Sequence, residues 1–260
     1  MSGRYVSVVL GFALGASGSV MVERRCDAFG DRGAFDARVL LTGSQVSPAH
    51  PGAAARWAFE LVERTSAPAQ MRPTVVRADD PAIVDAPFLY WSGSSEVAPL
   101  TAGEMAGLRS FLALGGVLLV DDSAPGAGGE PSAFGRSARR EMARILPESA
   151  PIVIGADHVL FHTFYLLDRP EGRVKGAPFV EAIVRGGQAQ VLFTENDLGG
   201  ALAQDSSGVW ALPVIPDGEL QREHAIRLAV NIAMYVLCSN YKDDQVHAPY
   251  MMRKRARIAQ

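Results

Sequence analysis

The sequence predicts an α/β fold, a mostly parallel sheet with helices packed on both faces. Three observations carry that expectation. Strand patterns alternate with helical ones along the chain, and this alternation marks parallel pairing through crossover helices. Val117-Leu118-Leu119-Val120 is apolar at every position, as expected where both faces of a strand are buried in the middle of a parallel sheet. No block of different composition divides the 260 residues, which are 48% hydrophobic and 20% charged, ordinary values for a globular chain. One domain over residues 35–240 follows. A net charge of −3 gives no reason to expect nucleic-acid binding.

The elements are justified in turn. Phe35 to Leu41 reads as a first strand, closed by Gly43-Ser44. Pro51 opens a helix to about Arg64, with Trp57, Ala58, Leu61 and Val62 on one face; proline is tolerated there because the first-turn N–H has no partner in any case. Thr74-Val75-Val76 is a short strand, Asp79-Asp80-Pro81 begins a single turn, and Pro87 to Trp91 is a third strand turned by Ser92-Gly93. Thr101-Ala-Gly-Glu104 is a capping box, in which hydroxyl and carboxylate each satisfy an orphan N–H of a helix start. Met105, Leu108, Phe111 and Leu112 give that helix its apolar face, and Gly115-Gly116 stops it. The strand Val117–Val120 ends at Asp121-Asp122, and a Gly- and Pro-rich loop leads to a basic helix from about Phe134 to Leu146. Ile152-Val153-Ile154 precedes the segment Asp157 to Tyr165. Phe179–Val184 and Gln190–Phe193 read as strands joined at Gly186-Gly187, a hairpin signal. Leu220 to Leu237 is a final helix whose Arg227 and Asn231 make it a core helix and not a membrane span.

The two ends read differently. Arg4, an apolar stretch from Tyr5 to Leu14 and the small residues Gly15 to Ser19 fit a secretory signal peptide over residues 1–19. A buried strand over Val6–Leu10 is the competing reading. Residues 20–34 form an irregular polar arm. In an exported protein Cys26 and Cys238 could pair; in a cytosolic one they would be a surface thiol and a core thiol. The polar tail, 241–260, carries Arg253-Lys254-Arg255 and Arg257, a basic cluster suited to peripheral contact with acidic lipid head groups.

In open α/β sheets ligands bind beyond the carboxyl ends of the strands, where the direction of winding reverses. That rule selects Trp91-Ser92, Asp121-Asp122 and Asn196-Asp197. One of Asp121 and Asp122 faces the crevice if the strand geometry persists, as a base or a partner for a cation; capping the next loop is the commoner role for such a carboxylate. His158, His162 and Tyr165 lie in one segment, and on a helix the histidines would share a face. Satisfied structural histidines are commoner than ligands, and no third ligand at fixed spacing supports a metal. Arg136, Arg139, Arg140 and Arg144 form a helical strip, by default a solvated face or one paired with Glu141.

The segments Ala86 to Gly93, Leu108 to Asp122, Asp157-His158-x-Leu160-Phe161-His162-x-Phe164-Tyr165, Glu195 to Gly199, Arg227-Leu228-x-x-Asn231 and Tyr241 to Gln245 together resemble the bacterial domain of unknown function 4159. The resemblance covers about residues 35–250. It implies a flavodoxin-like sheet similar to class I glutamine amidotransferase and ThuA-like domains, often in exported or membrane-associated proteins. Amidotransferase chemistry needs a cysteine thiolate on a tight strand-to-helix turn; here the corresponding strand runs into Asp121-Asp122, and neither cysteine follows a strand. There is no Gly-x-x-x-x-Gly-Lys-Ser/Thr loop and no Gly-x-Ser-x-Gly elbow, which excludes P-loop and ordinary α/β-hydrolase chemistry.

The expectation is a binding module without a cofactor, taking a small polar ligand or a protein partner in a periplasmic or envelope-associated assembly, with a cytoplasmic location as the alternative. The competing expectation is a hydrolase or sugar-active enzyme using Asp121 or Asp122 with His158 or His162. Trp91, Ser92, Tyr165, Asn196 and Asp197 would hold the ligand. A scaffold protein working through its surface and tail is a third option. The enzyme needs its carboxylate, its histidine and Asn196 or Asp197 in one water-accessible pocket.

Overall fold

The computed structural model describes residues 33–258, with side chains to residue 239. The signal-peptide reading, nearly all of the N-terminal arm including Cys26, and the side chains of the basic tail lie outside these residues.

The described chain forms one seven-stranded sheet in the order β2-β1-β3-β4-β7-β6-β5. The strands are β1 (Val39–Leu41), β2 (Val75–Arg77), β3 (Phe88–Gly93), β4 (Val117–Asp122), β5 (Ile152–Ile154), β6 (Val180–Arg185) and β7 (Gln188–Thr194). Pairing is parallel from β2 through β1, β3 and β4 to β7 and antiparallel from β7 to β6 and β5. The β6–β7 hairpin turns at Gly186-Gly187, both at positive φ, which glycine alone adopts without a Cβ penalty.

Helices cover both faces, and the strands alternate between them residue by residue. On one face α1 (Ala53–Thr65), α4 (Leu198–Leu202) and α5 (Gly218–Ile258) pack against Val39, Tyr90, Leu119 and Leu192. On the other, α2 (Ala102–Ala113) and α3 (Ala133–Ile145) pack against Leu40, Trp91, Leu118 and Phe193. The continuous apolar run in β4 thus serves two cores at once. Trp57 anchors α1: its ring lies within 6 Å of those of Phe35, Phe88 and Tyr90, and its indole N–H donates to the Ala229 carbonyl of α5. The Thr101–Glu104 capping box is present at the start of α2.

Several boundaries differ from the sequence expectation. Only Val39–Leu41 joins the ladder as β1; before it the Asp36 carboxylate accepts from the Thr74 amide and hydroxyl, and Phe35 makes an isolated parallel bridge to Ala69. Asp121 and Asp122 lie inside β4, paired with Ser92 and Gly93 of β3, and do not follow it. Helix α5 continues past Leu237 to Ile258. His158 and His162 flank a single short turn, Val159–Phe161, too short to stack them on one helical face.

Candidate functional site

The chain reverses its winding between β1 and β3, since β1 is followed by β2 on one side and by β3 on the other. At that point a cavity of about 380 Å³ opens beyond the two carboxyl ends. It is lined by Thr42, Gly43, Ser44, Gln45, Ser47, Pro48 and Ala49 after β1 and by Gly93, Ser94, Ser95, Glu96, Val97 and Ala98 after β3. The volume falls in the range of small-molecule sites, and the lining is rich in hydroxyls.

Short polar contacts hold the β1 loop in place. The Gln45 side chain accepts from the Thr42 amide, the Thr42 hydroxyl and the Trp91 indole, and its amide donates to the Ser92 carbonyl. The Ser92 hydroxyl accepts from the Ala49 amide. The Glu104 carboxylate accepts from the Gly43 amide; hydrogen bonds from that amide and from Thr101 hold its pKa down despite burial. Trp91 and Ser92 are both buried. They act as the floor that fixes this loop. Gly93 admits no side chain, because a Cβ would sit 2.3 Å from the Phe134 ring.

The ends of β4 and β7 are closed. Residues 172–177 cross the end of β7 as a strap: Arg173 and Val174 amides donate to the Asp197 and Asn196 carbonyls, and the Asn196 side chain bonds the Gly176 amide and the Ala177 carbonyl. The strap lies so close that a Cβ on Gly176 would be 1.6 Å from the Glu195 carbonyl oxygen. Asn196 and Asp197 are buried beneath this layer, and Asp121 and Asp122 are buried as well.

Asp121 accepts from the Tyr90 hydroxyl, the Thr194 hydroxyl and the Leu198 and Gly199 amides. Its carboxylate binds the start of α4 to β3, β4 and β7. Burial and the charge of Asp197 push its pKa up against those hydrogen bonds, and burial beside Asp121 pushes the Tyr90 phenol well up. Asp122 points to the other face and accepts from the Ala124 and Ser132 amides. Each does the capping work that is the commoner role for such a carboxylate.

His158 and His162 stand apart from this region. The His158 ring accepts from the Leu160 amide and packs near Tyr235 of α5; burial lowers its pKa. His162 reaches the Asp157 carbonyl at 3.3 Å. Among the described residues no three His, Cys, Asp or Glu side chains are grouped as a metal would require. Tyr165 is tied through its amide to the Asn231 side chain and lies under Arg227 of α5. The arginines of α3 are engaged in structure: Arg140 and Arg144 pair with Glu141, and Arg139 bridges Glu181 and Glu195. Burial outweighs Arg139 and leaves the Glu195 pKa raised.

The histidine that does reach the strand ends is His50. Its Nε2 lies 2.7 Å from Asp197 Oδ1, while Arg173 pairs with the other carboxylate oxygen. Asp197 also accepts from the Gly200 amide as the cap of α4 and holds a left-handed backbone, φ 54°, a conformation aspartate tolerates better than most residues. Burial pulls the His50 pKa down, but the hydrogen bond and charge of Asp197, with Asp121 behind it, outweigh burial and Arg173 and leave it above 6.5. His50, Arg173 and Gln45 were not among the residues expected from sequence. The hydroxyl run Thr42 to Ser47 after the first strand, closed by His50-Pro51-Gly52, was the available signal: the strand-end rule applies to β1 as it does to β3, β4 and β7.

These features define an α/β domain with an open polar crevice at the winding reversal and a sealed node of carboxylates beside it. The family model described as Domain of unknown function (DUF4159) matches residues 37–237, and the chain belongs to that family. No curated protein matches it.

Proposed function

We propose that the chain is a binding module on an amidotransferase-like, flavodoxin-type scaffold that takes a small polar ligand between the carboxyl ends of β1 and β3. The observation that carries the reading is the hydroxyl-lined cavity of about 380 Å³ at the winding reversal. The parallel order β2-β1-β3-β4-β7 supports the scaffold, since it is the flavodoxin-type order with two further strands, β6 and β5, added antiparallel at one edge. At the end of β4, where the amidotransferase comparison asks for a thiolate, Asp121 and Asp122 are occupied with backbone and hydroxyl donors. Export and an envelope-associated setting, with the basic tail near acidic lipid, are proposed from the terminal sequences alone.

One observation favours the competing enzyme: an Asp–His pair does exist at the strand ends, as His50 with Asp197. An oriented imidazole of this kind suits general acid–base work. It ranks second because its carboxylate is sealed and no nucleophile is assigned beside it.

The test is an amide NMR titration of the protein with D-glucose, L-glutamine and inorganic phosphate, chosen to span hydroxyl, amide and anion. Shifts confined to Gly43–Ser47 and Ser94–Val97, abolished by the cavity-filling Ser94→Trp, are the expected result. Shifts elsewhere, or none from any probe, sink the reading. Turnover of a probe, lost in His50→Gln, would promote the enzyme.

A further inference from the structure

We infer that His50 is a proton-controlled latch on the wall of the crevice: the loop over residues 42–50 is held when the imidazole is protonated and loosened when it is neutral. The functional meaning of the latch rests on the binding reading above, while the latch itself stands on its own contacts.

The loop from Thr42 to Ala49 forms one wall of the cavity. Its start is fastened by charged groups, Glu104 to the Gly43 amide and Arg77 to the Gly43 carbonyl, and its middle to β3 by neutral contacts, Gln45 to the Trp91 indole and the Ser92 carbonyl and the Ala49 amide to the Ser92 hydroxyl. Its last residue is fastened differently. His50 Nε2 reaches the Asp197 carboxylate at 2.7 Å, with side-chain exposures of 14% and 0%. Asp197 cannot follow a moving loop. It caps α4 through the Gly200 amide, its carbonyl accepts from the Arg173 amide, and Arg173 pairs with its second carboxylate oxygen. Displacement of the carboxyl-terminal end of this wall therefore has to break the His50 contact.

Among the described residues, the charged groups acting on His50 are Asp197 at the start of α4, Asp121 of β4 and Arg173 of the strap. The phenol of Tyr90 is bonded to Asp121 behind them. Protonated, the imidazole adds a second cation beside two carboxylates that otherwise have Arg173 alone. Neutral, it retains a hydrogen bond to the ionised carboxylate and loses the Coulombic attraction of a cation at 2.7 Å. The sign follows from linkage. A pKa raised above 6.5 in the folded protein means that the extra stabilisation is fully present below 6.5 and is lost as the pH rises through the folded value. Histidine is the side chain suited to such a change near neutrality.

The experiment uses the full chain without ligand. The His50 ring is titrated by NMR from about pH 5.5 to about pH 9, and hydrogen exchange of the amides over residues 42–50 is followed in parallel, corrected for base catalysis. The expected result is a ring midpoint above 6.5, with opening of the loop increasing by about fivefold through that midpoint. His50→Gln keeps a donor but cannot titrate, and should hold the loop at the high-pH level throughout. A step that persists in His50→Gln overturns the latch, as does a ring titration with no change in exchange. If His50→Gln does not fold, coincidence or separation of the two wild-type midpoints decides the matter. Because no ligand is present, a step here combined with no crevice shifts from any probe would reject the binding reading and keep the latch.

Discussion

Asp121 shows how one side chain can hold a sheet and a helix together. It is fully buried and accepts from two hydroxyls and two backbone amides. An asparagine there offers one oxygen and turns an NH2 toward donors, leaving buried N–H or O–H groups unmatched. Asp121→Asn should therefore destabilise by about 3 kcal/mol, each unmet buried group costing roughly 1–3 kcal/mol. Urea unfolding measures this, and a loss below about 0.5 kcal/mol would show that the carboxylate is not a structural anchor. The sequence identified Asp121 as a strand-end carboxylate. Its role was hidden because the four donors come from β3, β7 and α4, and the hydroxyl of Tyr90 reaches it only through the register that pairs Ser92 with Asp121.

Among the elements, the helices are joined by a contact that titrates. Arg64 of α1 meets Glu223 of α5 through two bonds of 2.8 Å, and Arg227 also bonds Glu223. The hydrogen bond from Arg64 leads the causes that hold the Glu223 pKa below 4.5. The stabilisation it brings is present above 4.5 and is lost as the pH falls through the lower folded value. A double-mutant cycle of Arg64→Met and Glu223→Gln should give a coupling of about 0.5–1 kcal/mol near neutrality, as expected for half-exposed pairs, and less in acid. A coupling that grows on acidification would contradict the assignment. Helices α1, α2, α3 and α5 were legible from capping and periodicity, as the Thr101–Glu104 box shows, whereas α4, five residues long, was not. The strap over residues 172–177 was not, since it has no period and is held by main-chain and Asn196 contacts.

For the whole molecule, β4 decides cooperativity. Leu118 and Leu119 are adjacent, fully buried, and belong to opposite cores. If the sheet unites both cores in one folding unit, Leu118→Ala and Leu119→Ala should each cost about 2–5 kcal/mol, and each variant should unfold in a single transition. Calorimetry checks this. A second, separate transition in either variant would mean that the two faces melt independently.

The sequence by itself determined the α/β class, the helices on both faces, the buried centre at Val117–Val120, the β6–β7 hairpin and the absence of a thiolate at the end of β4. Those properties depend on local periodicity, capping and residue type, which neighbours along the chain reveal. Tertiary structure alone decided which strand ends are open. Residues between Thr42 and Ala49 and from Gly93 to Ala98 line the cavity because β1 and β3 lie side by side, while the strap closes β7 and the start of α4 with the loop to α3 closes β4. The choice of histidine had the same origin: His50 and Asp197 are separated by 147 residues, and only the sheet order brings them together.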